Sequence, residues 1–432
     1  PKFVNLDMEE YRDLDLTTAA FMDTLEQEEF KDYCAGLVLQ AYLPDSFNIQ
    51  KKLTAWARDR VEKGGAPIKI RIVKGANLEM EQVESALFNW PLATYNNKLE
   101  VDANYKRMVE YGLRNENVEA VQLGIASHNL FELAFASELA RERNLTDYIY
   151  FEMLEGMADH VRRALCEISG DVLLYAPVAK KDEFINAIAY LIRRLDENTA
   201  GENFLRYSCN LKTGSKQWEF LKEQFLASLK YMDRAAKTPN RTQDRSRETF
   251  DEKKGTFHEG WFQNEADTDW SLEGNRKWAE KIREKWQPDS GSAGEPYEPL
   301  QIPAVVAGRE IFEDRKIREC VDPSKLGDGK KDPVVVGRYA MANPDDVMLA
   351  VETARADPDC WREKSHRERH EILSRAAAEI RRARGDLIGV AAANTGKVFT
   401  EADVEVSEAV DFTEYYPYSV KQFADMENIE CR

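Results

Sequence analysis

Three features of the first two hundred residues predict an α/β fold of repeated βα units around a parallel sheet. Short apolar, β-branched runs alternate with amphipathic stretches. Each run is nearly continuous in apolar residues, as strands covered on both faces are. Polar residues recur where the runs end.

The runs are Phe3 to Leu6, Leu37 to Ala41, Ile68 to Val73, Val121 to Ala126, Ile149 to Met153 and Val172 to Ala176. At or beside their ends stand Asp7, Gln40, Lys74, His128 with Asn129, and Tyr175. In a (βα)8 barrel the active site lies at the carboxyl ends of the strands, so this recurrence reads as a site, although any one polar residue taken singly is better read as the start of a loop. Six strands do not close eight. The fold class expected is therefore a TIM-type barrel lacking its first strands, with two strands upstream of Pro1, where the chain opens without Met.

A helix is expected from about Asp182, with Phe184, Ile185, Ile188, Leu191, Ile192 and Leu195 at helical spacing, ending near Arg193 and Arg194. From about Tyr207 to Pro299, helix-like stretches are interrupted by polar, Gly-, Ser- and Pro-containing segments, which read as a connecting region. A further domain begins near Leu300, with short strands, a helix containing Leu373, Ala376, Ile380, Ala383 and Leu387, and another through Ala402, Val406, Ala409 and Val410. The expected organisation is thus 1–206, 207–299 and 300–432.

A length of 432 residues accommodates two or three compact units, and a hydrophobic fraction of 43% is that of a folded chain. The formal net charge of -18 repels phosphate backbones and argues against nucleic acid as a partner of these residues. Six scattered cysteines without a CxxC pair fit a reduced, cytoplasmic protein. No apolar run is long enough to span a bilayer.

Adjacent guanidiniums at Arg193 and Arg194 repel unless an anion is shared between them, and a ligand carboxylate would satisfy both. Glu197, three and four residues on, is spaced to hold one of them. A solvated basic patch paired with Asp196 and Glu197 fits the same spacing, and spacing alone favours it. Arg71 and Lys74 flank a strand end beside Gly75, which permits close backbone approach to a flat ligand. Cations there suit a reduced flavin, whose pyrimidine edge carries negative charge, and Gln40 is placed to bond its carbonyl or imide. Phosphate binding or a salt bridge fits Lys74 equally well. His128 is suited to a cofactor phosphate or ring, and no second metal ligand lies near it. Tyr175 offers an aromatic wall whose hydroxyl Asp7 is expected to fix, or a buried tyrosine with its hydrogen bond satisfied.

The ordered blocks NLDMEE (Asn5 to Glu10), LQAY (Leu39 to Tyr42), RIVKGA (Arg71 to Ala76), ASHN (Ala126 to Asn129), FEMLEGM (Phe151 to Met157), LYAPV (Leu174 to Val178) and RRLDEN (Arg193 to Asn198) resemble proline dehydrogenase. The resemblance runs from about Phe3 to Arg206, strands three to eight of that family's barrel and its last helix. It implies that Arg193 and Arg194 hold the proline carboxylate, that Tyr175 covers the pyrrolidine ring, and that Asp7 stabilises the substrate side. Glu197 would orient the arginines and touch FAD. Gln40, Arg71, Val73, Lys74, Gly75, Ala76, Lys98, Ala126, Ser127, His128, Asn129, Leu154 and Phe204 match positions that line FAD. Hydride would pass from the ring carbon beside nitrogen to the flavin, giving pyrroline-5-carboxylate. Where many relatives carry an aromatic after Gly-Ala, this chain has Asn77, and the family's strand-two lysine would lie upstream of Pro1.

FQNEADTDW (Phe262 to Trp270) and GKVFTEADVEVSEAVDFTEYY (Gly396 to Tyr416) resemble the junction and opening of the aldehyde dehydrogenase half of bifunctional proline-catabolic enzymes. That resemblance implies NAD-dependent oxidation of glutamate semialdehyde in a longer protein, with its catalytic residues beyond Arg432. It also implies a homo-oligomer, a membrane quinone as electron acceptor, and a cytoplasmic location with peripheral contact at the inner membrane face. Two other readings stand beside it: a methylenetetrahydrofolate reductase-like flavin barrel, which needs no double arginine, and a folded fragment without activity.

Overall fold

The structure is a computed structural model describing residues 2–199, 201–208, 210–249, 257–258, 261–286, 298–325 and 334–426. The chain divides into two compact units, 1–242 and 243–432.

In the first unit, six parallel strands follow one another in chain order: β1 (Asn5–Leu6), β2 (Gly36–Gln40), β3 (Ile68–Val73), β4 (Val121–Ala126), β5 (Ile149–Leu154) and β6 (Val172–Tyr175). β1 and β6 are the edges of this curled half-barrel. The helices are α1 (Leu14–Leu25), α2 (Asp45–Glu62), α3 (Leu78–Leu87), α4 (Lys98–Gly112), α5 (Asn115–Val118), α6 (Leu130–Glu142), α7 (Asp159–Ser169), α8 (Phe184–Thr199), α9 (Leu205–Ser208) and α10 (Lys216–Tyr231).

Strand register sorts the side chains into two faces. Leu37, Leu39, Ile70, Ile72, Leu123 and Ile125 are fully buried or nearly so, and form the apolar core. The opposite face is polar: Arg71 stands between Val38 and Gly124, Glu152 between Ala126 and Leu173, and Leu154 beside Tyr175. The runs that look continuously apolar therefore alternate within the sheet, with Lys69, Arg71 and Glu152 turned to the concave side.

The helix expected to end near Arg193 and Arg194 runs on to Thr199, so both arginines lie within α8; no glycine or proline interrupts the chain before Gly201. Part of the expected connecting region packs as core of this unit. Phe225 of α10 stacks on Phe131 of α6 at 5.8 Å, and Ser228 accepts the Lys106 ammonium at 2.9 Å. Further on, Arg107 donates to the Ala235 carbonyl at 2.8 Å, and Arg241 donates to that of Pro91 at 3.0 Å.

The second unit holds the short strands β7 (Phe257–His258), β8 (Trp261–Phe262), β9 (Leu300–Ile302), β10 (Ala304–Val306), β11 (Arg309–Ile311), β12 (Ile317–Val321) and β13 (Val335–Ala340). Its helices are α11 (Glu273–Trp286), α12 (Pro344–Ala356), α13 (His366–Arg382), α14 (Arg384–Thr395) and α15 (Phe399–Ala424). The single helix expected through Leu373 and Leu387 is two, parted at Ala383. The break lets α14 lie close on α11: a Cβ at Gly385 would reach Trp278 at 3.1 Å, and one at Gly389 would collide with Trp286. The FQNEADTDW segment docks onto α15, where Asp403 accepts from the Thr268 amide and hydroxyl at 2.6 Å and Asp411 accepts from the Glu265 amide at 2.6 Å. Among the described residues, no helix is long and apolar enough to cross a membrane.

Candidate active site

The carboxyl ends of β1 to β6 and the start of α9 enclose a cleft of about 280 Å³, and α8 roofs it. Every residue singled out in the sequence lines this cleft except Arg193 and Glu197, whose side chains lie outside the described residues. The lining thus gathers Asp7, Gln40, Arg71, Lys74, His128, Asn129, Tyr175, Arg194 and Phe204 from segments far apart in the chain. Val73, Gly75, Ala76, Lys98, Ala126, Ser127 and Leu154 complete the set.

Arg71 is the hub of one wall. It is buried, is ion-paired with Asp7, and has its guanidinium 4.2 Å from the centre of the Tyr175 ring. Asp7 therefore holds the arginine and does not fix the Tyr175 hydroxyl as expected, because the doubly charged pair is the stronger partnership. The Tyr175 hydroxyl instead feels the charges of Arg71 and Glu152. Burial pushes the Tyr175 phenol up to about 12, with Arg71 pulling it down and Glu152 pushing it up, so it stays protonated at neutral pH.

Lys74 anchors the other wall. Its ammonium meets Asp102 at 2.5 Å and Glu132 at 3.1 Å, while Lys98 also pairs with Asp102 and Lys106 with Glu132 at 2.7 Å. Burial would push Lys74 down, but the two carboxylates outweigh it and hold its pKa above the ordinary lysine value. Lys98 and Lys106 fall below theirs, chiefly through burial. Gly75 keeps the turn after β3 tight: its φ is 118°, and a Cβ there would meet the Tyr42 ring at 2.5 Å.

Several buried polar atoms on this lining have no hydrogen-bond partner: Gln40 Oε1, Arg71 Nε and His128 Nδ1. Gln40 Nε2 is engaged with the Met8 carbonyl at 2.8 Å, and His128 Nε2 accepts the Leu154 amide at 3.4 Å. Orphaned groups of this kind cost free energy unless a ligand completes them. One acceptor, an imidazole N–H and a guanidinium N–H around a flat opening suit the carbonyl, imide and phosphate groups of a flavin nucleotide.

Residues 1–207 match the proline dehydrogenase family model and residues 328–432 the aldehyde dehydrogenase family model. Proline utilization A from Corynebacterium freiburgense aligns over 98% of this chain at 34% identity, with a TM-score of 0.71. Along nearly its whole length, the chain is similar to proline utilization A. It spans 35% of that relative and 40% of proline utilization A from Bdellovibrio bacteriovorus, which aligns over 99% of this chain at 29% identity and a TM-score of 0.79. It spans 30% of the Escherichia coli bifunctional protein PutA, which aligns over 97% of this chain at 26% identity. In this chain, the aldehyde dehydrogenase match covers only the N-terminal part of that fold.

Sequence reasoning missed Glu152, Asp102, Glu132 and Tyr190. Tyr190, one turn before Arg194 on α8, stacks under its guanidinium at 4.9 Å, a spacing the amphipathic pattern contains. Asp102 and Lys98 are an i, i+4 pair, which reads from sequence as a solvated helix face.

Proposed function

We propose that this cleft oxidises L-proline to pyrroline-5-carboxylate with FAD. The observation that carries the reading is the presence of Arg194 in the cleft that also holds Arg71, Asp7 and Tyr175. An amino acid with a small apolar ring needs a fixed cation for its carboxylate and an aromatic wall for its ring. Arg194 supplies the first and Tyr175 the second, and Arg193, on the same helix, would by the family resemblance be the second arm of the clamp. Asp7 keeps Arg71 in place, so its guanidinium backs Tyr175 and faces the opening. Gln40, His128 and the Lys74 wall would hold FAD, with Gly75 and Ala76 allowing its close approach. Bound FAD would accept hydride from the ring carbon beside the substrate nitrogen.

In the longer protein, the aldehyde dehydrogenase half would oxidise glutamate semialdehyde with NAD. A membrane quinone as electron acceptor, peripheral membrane contact and self-association belong to the same reading. A methylenetetrahydrofolate reductase-like activity has no use for Arg194, and competition by a proline analogue separates the two.

The test is anaerobic titration of the full-length protein with proline, followed by bleaching of the flavin absorbance. Arg194→Met should keep the flavin and raise half-saturation by about tenfold or more, the loss of one charge-assisted bond. Unchanged saturation would overturn the clamp.

A further inference from the structure

Glu152 lies at mid-strand in β5, on the concave face with Arg71 and Tyr175, and is 1% exposed. One carboxylate oxygen pairs with Lys69, the other lies 3.8 Å from Arg71 Nη1, and the charge of the group is felt at Tyr175. Diagonally across on β4, Gly124 leaves the room this requires: a Cβ there would collide with Glu152 Oε1 and lie 3.0 Å from Lys69 Cε. Lys69 alone would satisfy a carboxylate placed for stability. The second oxygen faces the Arg71 guanidinium of the cleft wall instead, and a glycine on the next strand makes way for the carboxylate.

We propose that Glu152 is a positioning residue of this site: seated beside Gly124, it holds in place the Arg71 guanidinium on which the Tyr175 ring packs, and sets one negative charge under the flavin-binding floor. The inference rests on the flavin-dependent reading above. Asp7 restrains Arg71 from the cleft mouth and Glu152 from beneath, so the guanidinium is pinned between two carboxylates. The Tyr175 ring packs on that guanidinium, so the same carboxylate sets its position at one remove. Displacing such a support by about 1 Å is enough to slow a reaction that depends on alignment.

The experiment uses the full-length holoenzyme. Wild type is first checked for bound FAD and for bleaching by proline; failure of either overturns the function and this inference with it, before any variant is made. Glu152→Gln keeps shape and hydrogen bonding but removes the charge. The flavin midpoint potential should shift positive, while proline-driven reduction slows roughly tenfold with half-saturation changed much less. Gly124→Ala displaces the carboxylate and keeps its charge, so it should slow reduction comparably with the potential near wild type. It also carries the test should Glu152→Gln not fold. An unshifted potential in Glu152→Gln, or wild-type reduction rates in Gly124→Ala, would overturn the proposal.

Discussion

His128 follows β4 and turns Nε2 to the Leu154 amide, which leaves its proton on Nδ1, facing the cleft. Burial, then the charge of Arg194, lowers its pKa to about 4. The folded chain thus refuses a proton that the unfolded chain accepts below its ordinary value of about 6.5. Stability from this residue is in place above that value and is lost as pH falls through the window down to about 4. Wild type should lose more stability than His128→Gln between pH 7 and pH 4.5, by on the order of 1–3 kcal/mol; equal losses in thermal melts would refute this. At this scale the site was readable where chemistry sits at a strand end, as with Asp7, Lys74 and His128. Glu152 escaped because it lies inside the apolar run Phe151 to Leu154, where one charge looks like an interruption. Its meaning depends on Lys69, Arg71 and Gly124, which only strand register brings alongside.

α4 carries Lys98, Asp102 and Lys106 one turn apart, and this face of the helix, with Glu132 of α6, secures the Lys74 side of the cleft. Burial would raise the Asp102 pKa, but Lys74, Lys98 and Lys106 together hold it below the ordinary carboxylate range. A depressed acid stabilises the fold above its unfolded pKa, and that stability disappears as pH falls toward the folded value. Asp102→Asn leaves three ammoniums against Glu132, which should cost about 3–5 kcal/mol in denaturant unfolding near neutral pH and less in acid. Adding Lys98→Met should restore part of the loss, and a double-mutant cycle without coupling would refute the network. The strands were legible because short, nearly continuous apolar runs bounded by turns are local signals. The role of α10 was not, since its contacts with α4 and α6 join segments more than eighty residues apart. The division of α13 from α14 depends on tryptophans of α11 packing over two glycines, a long-range fact with no local marker.

Over the whole molecule, the sheet edge at β6 and the helix that follows leave apolar surface uncovered. Leu173 and Leu174 are more than a third exposed, and so are Phe184, Ile185, Ile188, Leu191 and Ile192 of α8, with Ile185 at 68%. An exposed apolar helix face such as that of α8 marks a surface that another segment or molecule covers, or one that drives association. The resemblance to a complete barrel favours cover by strands outside these residues. Two outcomes follow from substituting Ile185→Glu and Ile192→Glu together, one helical heptad apart on the same side. In a polypeptide of these 432 residues the change should cut hydrophobic-dye binding and self-association while leaving stability within about 0.5 kcal/mol, as exposed substitutions do. In the longer protein, where the patch would be buried, the same pair should destabilise by several times that amount, since each places a carboxylate in an apolar contact. Equal, small effects in both polypeptides would mean that nothing covers α8, and the half-barrel would then have to keep its cleft without closure.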